Sequence, residues 1–268
     1  MLVKSNALSN KKIVAFGDSL TNFCGNSYAS HIADDLEVTV INAGVGGNNT
    51  IRARERFEAD VLAHKPDLVI IGFAGNDQAV FRDSRKSVVP IEDFRANLTH
   101  FVESIRAQGG DVVFITVTPT MPERYTPWEY NIHYIYEDGK VLDRYCDAIR
   151  DLAREYDCGL VDIHREYDLI TLDEYMLADG MHPSDLGRRF IADLIGAYLL
   201  ARYDNINRAE MTLNCVDKSG KLLKSYKYVG ANGAHIAIPS PAIDGFSAAG
   251  DITNATFENG KIIEILYN

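Results

Sequence analysis

KIVAFGDSLTNFCGNSYASHIADDLEVTVIN, residues 12–42, decides the fold. Lys12–Phe16 and Glu37–Asn42 are short and rich in β-branched residues, which is how parallel strands buried on both faces read. Between them Tyr28–Leu36 has the pattern of a helix. The same cadence runs on for another 160 residues. Thr50–His64, Ile91–Gln108, Val141–Tyr156 and Ser184–Tyr203 read as helices; Leu68–Phe73, Val112–Val117 and Leu160–Ile163 read as strands. The clearest helix is Ile91–Gln108, with Phe94, Leu98, Phe101, Val102 and Ile105 at three- and four-residue spacing and a stop at Gly109-Gly110. Strands alternating with helices predict an α/β fold, a doubly wound parallel sheet with right-handed crossovers.

The composition agrees. At 268 residues, 46% hydrophobic and 24% charged, the chain has enough apolar residues for a sizeable core, which excludes disordered, collagenous and disulfide-scaffold classes. A net charge of −11 argues against nucleic acid or an anionic membrane surface as partner, since both call for a basic face. No apolar run reaches the roughly 18 residues of a membrane span. Met1–Asn10 lacks the apolar core of a secretory signal, so a cytoplasmic setting is expected, or an extracellular one if a leader has been removed. Cys24, Cys146, Cys158 and Cys215 form no C-x-x-C pair and are expected to be reduced core thiols.

Residues 205–268 carry six basic and six acidic residues, so the whole negative charge lies in 1–204. The texture changes at the same place, to short alternating runs (Met211–Val216, Leu222–Tyr228, His235–Ile238, Ala255–Phe257 and Ile262–Tyr267). Hairpin signals stand at Lys218-Ser219-Gly220 and Asn259-Gly260. Two domains are therefore expected: an α/β domain over 1–204 and a small β-rich accessory domain over 205–268, too small for a large core of its own and expected to dock on its neighbour or on another subunit.

In open α/β sheets ligands bind outside the carboxyl ends of the strands. The first strand delivers Gly17-Asp18-Ser19-Leu20 there, the second Asn42-Ala43-Gly44-Val45-Gly46-Gly47-Asn48-Asn49-Thr50, and the third Ala74-Gly75-Asn76-Asp77. Asp179-Gly180-Met181-His182-Pro183 precedes the last helix. Together they supply a hydroxyl, flexible glycine amides, a carboxamide and an Asp/His pair, which are the parts of a serine acyl-transfer site. Ser19 needs a base, and the His182 imidazole suits the role. Asp179, three residues earlier, can hold the imidazole tautomer. The Ser19 N–H, a backbone N–H at Gly47 and the Asn76 side chain are candidate oxyanion donors. Gly44 and Gly46 are alternatives to Gly47.

A lone Ser after a Gly-Asp turn is more often a helix cap. The conjunction of four blocks carries the reading. Gly17-Asp18-Ser19-Leu20, the glycine after strand two, Asn76-Asp77 and Asp179-x-x-His182, in that order over residues 12–200, resemble the GDSL, or SGNH, hydrolase family. The resemblance implies a flavodoxin-like three-layer α/β/α sandwich with a five-stranded parallel sheet in order 2-1-3-4-5, and a serine esterase or lipase using no metal and no cofactor. It implies Ser19 as nucleophile, His182 as base, Asp179 as its orienting group, and Ser19, Gly47 and Asn76 as the oxyanion hole. One position departs from the family's Gly-x-Asn-Asp, with Ala74 in place of the glycine. No G-x-S-x-G or P-loop occurs, and the seven histidines are scattered with no H-E-x-x-H.

Thr118–Val141 is long for a connection and rich in aromatics. Trp128, Tyr130 and Tyr134 are expected to bind substrate there, against the alternative that they cover the sheet edge or a partner subunit. The expected substrate is a short acyl ester, acetyl on a carbohydrate. The alternatives are a lysophospholipase or thioesterase, or a carbohydrate-binding surface protein whose hydrolase half is inactive. The tail weakly resembles mucin-binding-type repeats, which would add a carbohydrate-binding accessory, and a homo-oligomer is compatible with the sequence.

Overall fold

The structure, a computed structural model, describes residues 3–268 apart from 24, 82, 122–123, 125–133, 136–139, 168–169 and 171; of Tyr134, Ile135, Lys140 and Leu172 it describes the backbone alone. The chain begins β1 (Lys12–Gly17), α1 (Ser19–Asn22), α2 (Tyr28–Leu36), β2 (Thr39–Gly44), α3 (Thr50–Asp60), β3 (Leu68–Gly72), β4 (Val80–Phe81) and α4 (Ile91–Ala107). It continues β5 (Asp111–Ile115), β6 (Tyr134–Ile135), α5 (Lys140–Glu155), β7 (Gly159–Val161), α6 (Ile163–Glu166), α7 (Leu172–Tyr175) and α8 (Asp185–Tyr203). Five strands form one parallel sheet in the order β2-β1-β3-β5-β7. The order is that of a flavodoxin-like α/β/α sandwich, as expected.

Period two explains the layers. Along β1, Ile13 and Ala15 face one side while Val14 and Phe16 face the other; β3 and β5 alternate in the same way. The first side is covered by α2 and α8 through Tyr28, Ile32, Leu36, Ile191, Leu194 and Ile195. The second is covered by α3, α4 and α5 through Phe57, Phe94, Leu98, Phe101, Leu142 and Ile149. Each such side chain, fully buried, contributes about 1.5–3 kcal/mol relative to exposure, so the two layers hold the sheet far more firmly than helix propensity does.

Local chemistry sets the helix ends. Ser27 caps α2 in a reciprocal box with Ser30. At its other end Glu37 adopts a left-handed conformation, φ +52°, so the second strand opens at Thr39 and not at Glu37. Ser184 caps α8, accepting from the Gly187 N–H at 3.2 Å. The expected long loop after β5 contains β6, which pairs antiparallel with β4, Val80 opposite Ile135.

After α8 come β8 (Arg208–Asp217), β9 (Leu222–Ala231), β10 (His235–Pro239), β11 (Ile252–Thr256) and β12 (Lys261–Tyr267). β11 opens at Ile252, three residues ahead of the Ala255 expected from sequence. β8 pairs antiparallel with β9 and parallel with β12; β10 and β11 make a separate antiparallel ribbon. These strands lie against α8. Ala209, Met211, Val229, Ala231 and Phe257 join the same buried cluster as Leu199 and Leu200, and Arg208 forms a two-pronged pair with Glu166, 2.6 and 2.7 Å. Helix α8 therefore has an apolar neighbour on both sides, which is why twelve of its residues are buried. Among them Asp193 pairs with Arg189, which also reaches Asp35 of α2, so the buried charge is compensated. Among the described residues no helix is long and apolar enough to cross a membrane.

Candidate active site

The carboxyl ends of β1, β2 and β3 and the loop before α8 meet at one edge of the sheet. Ser19 opens the short helix α1, immediately after Asp18, whose Oδ1 caps it by accepting from the Leu20 N–H at 2.9 Å. Across from it, His182 sits in a turn tied down by the Leu177 N–H donating to its carbonyl at 2.7 Å. The His182 Nε2 lies 2.9 Å from Ser19 Oγ, and its Nδ1 lies 2.7 Å from Asp179 Oδ2. With the proton on Nδ1, donated to the carboxylate, Nε2 is free to accept from the serine hydroxyl.

Asp179 is held as an anion. Burial pushes its carboxyl up, but hydrogen bonds from the His182 N–H, the imidazole and the Met181 N–H outweigh that and keep it below the ordinary carboxylate range. The Phe23 ring meets the His182 ring edge-on at 5.8 Å, and the Arg188 guanidinium lies 4.3 Å over the other ring, Phe23. Arg188 also donates to the Pro183 carbonyl at 2.7 Å. These contacts fix the wall behind the imidazole.

Asn76 follows β3. Its Nδ2 donates to the Asn48 carbonyl at 3.0 Å and to Asp18 Oδ2 at 3.2 Å, so the carboxamide is tied both to the second loop and to the residue beneath Ser19. Its neighbour Asp77 is fully buried and accepts from the Thr50 N–H and hydroxyl, 2.8 and 2.6 Å, at the start of α3. Ala74, at the position where the family places glycine, has φ +144° and no exposed surface, a conformation that strains any residue with a Cβ. Burial, aided by the charge of Asp77, pushes the Asp18 carboxyl up to about 7 against only partial compensation from Leu20 and Asn76. Burial likewise raises Asp77 to about 6, with the Thr50 hydrogen bonds opposing it.

A cavity of about 600 Å³ opens on these groups, with Ser19, Gly46, Gly47, Asn76 and His182 all in its wall. Asp179 stands behind His182. The rest of the wall is largely apolar, from Leu20, Ala79, Val88, Val117, Leu142 and Met181, with Arg52 of α3 at one side. Of the three glycines considered, Gly44 ends strand β2 and spends its N–H on Asn42 Oδ1 at 2.9 Å. Gly46 and Gly47 remain, and Gly47, at φ +72°, takes a turn conformation suited to glycine. Trp128 and Tyr130 lie outside the described residues. Tyr134 is described only as backbone of β6.

With this geometry in place the comparisons with known proteins are decisive. Residues 15–190 match the model of the GDSL-like lipase/acylhydrolase family. The chain belongs to that family. It is similar to an arylesterase of Vibrio mimicus, 27% identical over 72% of this chain and 90% of the relative. It is also similar to the human isoamyl acetate-hydrolyzing esterase 1 homolog, 29% identical over 69% of this chain and 80% of the relative. Among solved structures, a lipase/acylhydrolase from Enterococcus faecalis superposes with a TM-score of 0.59 at 25% identity, covering 72% of this chain and 96% of that one. This GDSL hydrolase is a carboxylic ester hydrolase.

Asp18 and Asp77 were legible only as letters of G-D-S-L and N-D; their burial, and the contact of Asp18 with Asn76, come from the packing of three separate loops. Phe23 and Arg188, which back the imidazole, carried no sequence signal.

Proposed function

We propose that this hydrolase cleaves short acyl esters, acetyl esters foremost, through an acyl-enzyme on Ser19. The observation that supports it is the unbroken hydrogen-bonded series from Asp179 through His182 to Ser19 Oγ, opening on a cavity that also holds Asn76 and Gly47. His182 Nε2 takes the Ser19 proton as Oγ attacks the ester carbonyl, and Asp179 stabilises the imidazolium. The carbonyl oxygen becomes an oxyanion facing the Ser19 and Gly47 N–H groups and Asn76, and each such donor is worth on the order of 3 kcal/mol in the transition state. Imidazolium then protonates the leaving alkoxide. Water, deprotonated by the same imidazole, attacks the acyl-serine and releases the acid.

The acetyl preference leans on the relative named for isoamyl acetate, itself an acetyl ester. An O-acetylated carbohydrate is the natural alcohol class to test against simple alcohols. Hydrolysis of p-nitrophenyl esters from acetate to octanoate, beside acetylated xylo-oligosaccharide and a Ser19→Ala control, decides the matter. Activity confined to short chains and lost with Ser19 supports the reading. A rate rising with chain length would point to lipid or thioester substrates. A wild type no faster than Ser19→Ala, and unlabelled by a fluorophosphonate, would leave a binding protein.

A further inference from the structure

Asn76 has two N–H hydrogens on Nδ2, and both are engaged: one by the Asn48 carbonyl at 3.0 Å, the other by Asp18 Oδ2 at 3.2 Å. None is left for an oxyanion in the cavity that Asn76 lines. One acceptor must yield for the side chain to stabilise the tetrahedral intermediate. The Asn48 carbonyl is an acceptor at every pH, fixed in the backbone ahead of the α3 cap. Asp18 is different in kind, because the carboxyl oxygen that takes up a proton becomes a donor and a far weaker acceptor.

We propose that Asp18 gates the oxyanion donor: its carboxylate and the reaction's oxyanion compete for the same Asn76 hydrogen, and turnover proceeds with Asp18 protonated. The inference rests on the assignment of Ser19, His182 and Asn76 proposed above. Two negative charges, on Asp18 and on the substrate oxygen, would share one donor. Protonation of Asp18 removes one of them and releases the hydrogen. The proton comes from solvent through the cavity, of which Asp18 forms part of the floor, and returns when the intermediate collapses.

The surroundings favour the protonated form. Asp77, from the loop after β3, adds a nearby negative charge. Tyr28 of α2 turns its hydroxyl to Thr21, at 3.1 Å, and is held protonated by burial, so it offers no compensating charge. On α3, Arg52 stands in the same cavity wall but is not among the groups acting most strongly on Asp18, and Arg56 spends its Nη2 on the Gly17 carbonyl at 2.9 Å and its Nη1 on the Ala43 carbonyl and Asp60. His182, across the cavity, is paired with Asp179 and Ser19. No cation is placed to hold Asp18 as an anion among the described residues that bond or couple to it.

The kcat/KM for p-nitrophenyl acetate across about pH 5.5 to 9 is the test, on wild type and on Asp18→Asn, whose carbonyl oxygen still caps Leu20. Wild type should lose activity on the alkaline side, and the variant should not. The activity ratio of variant to wild type should rise at least tenfold between pH 7 and 9. A ratio constant with pH would overturn the proposal and leave Asp18 a structural cap. Should the variant fail to fold, wild type alone answers through its serine adduct with trifluoroacetone at pH 8. Calorimetry in two buffers of different ionisation enthalpy should register uptake approaching one proton per adduct, and none if Asp18 does not change its protonation. If wild type hydrolyses the ester no faster than Ser19→Ala, or forms no adduct, the site assignment fails first, and that outcome is separate from a flat ratio.

Discussion

Replacing Asp18 by Asn should make the protein more stable in alkali than in acid relative to wild type, whatever the group does in catalysis. The carboxyl goes from 3.8 in the unfolded chain to about 7 in the fold, chiefly through burial. A carboxyl whose pKa is raised on folding binds its proton more tightly in the native state, so stability is full below pH 4 and drains away as pH climbs through 7. Integrated from pH 5 to pH 8 the wild-type loss from this group is about 3 kcal/mol, at 1.36 kcal/mol per pH unit of unmatched titration. Asn at position 18 cannot titrate, keeps the cap on Leu20, and gives up the bond that the wild-type carboxylate accepts from Asn76. Asp77 and Asp193 are raised in the same sense, while burial lowers His31 and His100 and so works against stability as pH falls below 6.5. Asp193, His31 and His100 are common to both proteins and cancel in the difference, while Asp77, whose charge couples to Asp18, is eased in the variant and adds to the same trend. Urea unfolding of both at pH 5 and pH 8 should therefore give a ΔΔG more favourable to the variant by about 3 kcal/mol at the higher pH. An equal effect at both pH values, or a loss that grows with pH, would show that Asp18 is a contented anion in the fold.

Substituting Asp179→Asn should lower kcat on p-nitrophenyl acetate by about 10²–10⁴ with little change in KM, because the imidazole loses both its tautomer and its counter-charge; steady-state kinetics reads both. Gly44→Ala places a Cβ 2.6 Å from the Asn22 N and 2.8 Å from the Thr21 carbonyl carbon, backbone atoms of α1, the helix that Ser19 opens. It should destabilise by about 1–3 kcal/mol and lower kcat, seen together by urea unfolding and ester hydrolysis. Arg208→Met removes the two-pronged contact with Glu166 and should cost about 1–3 kcal/mol, with Glu166→Gln costing less than the arginine change and both measured by chemical unfolding. Asn76→Ala should cost on the order of 3 kcal/mol in kcat/KM, a fall of roughly a hundredfold in the same ester assay.

The layered sheet was readable because Val14 and Phe16 against Ile13 and Ala15, and the spacing of Phe94 through Ile105, are one-dimensional records of which way a side chain points. Strand ends were readable less well. Glu37 belongs to a left-handed helix terminus that no propensity marks, and the two-residue pairing of β4 with β6 leaves no period at all. In the site, Ser19, Asn76, Asp179 and His182 stand out because the proposed acyl transfer needs a hydroxyl, a carboxamide and an Asp/His pair, and their blocks lie after β1, after β3 and before α8. The choice among Gly44, Gly46 and Gly47 narrowed only when the Gly44 N–H was found donating to Asn42. Ala74 was visible as a departure, but its φ of +144° needs the loop in three dimensions. The state of Asp18 was invisible to sequence, since it depends on how Asp77, Asn76 and the end of β1 are buried together. The tail's resemblance to mucin-binding-type repeats stands where the sequence left it, because the family match ends at residue 190, ahead of β8.

That end point falls inside α8, six residues after the Ser184 cap that follows the His182 turn. The helix is gripped on its outer side by Met211, Val229 and Phe257. Kinship and mechanics thus draw different borders in this chain. A chain cut at residue 190 would keep Ser19, Asn76, Asp179 and His182 but lose most of the helix that follows the His182 turn and the strands packed on it, so residues beyond the family match brace the loop that carries the imidazole.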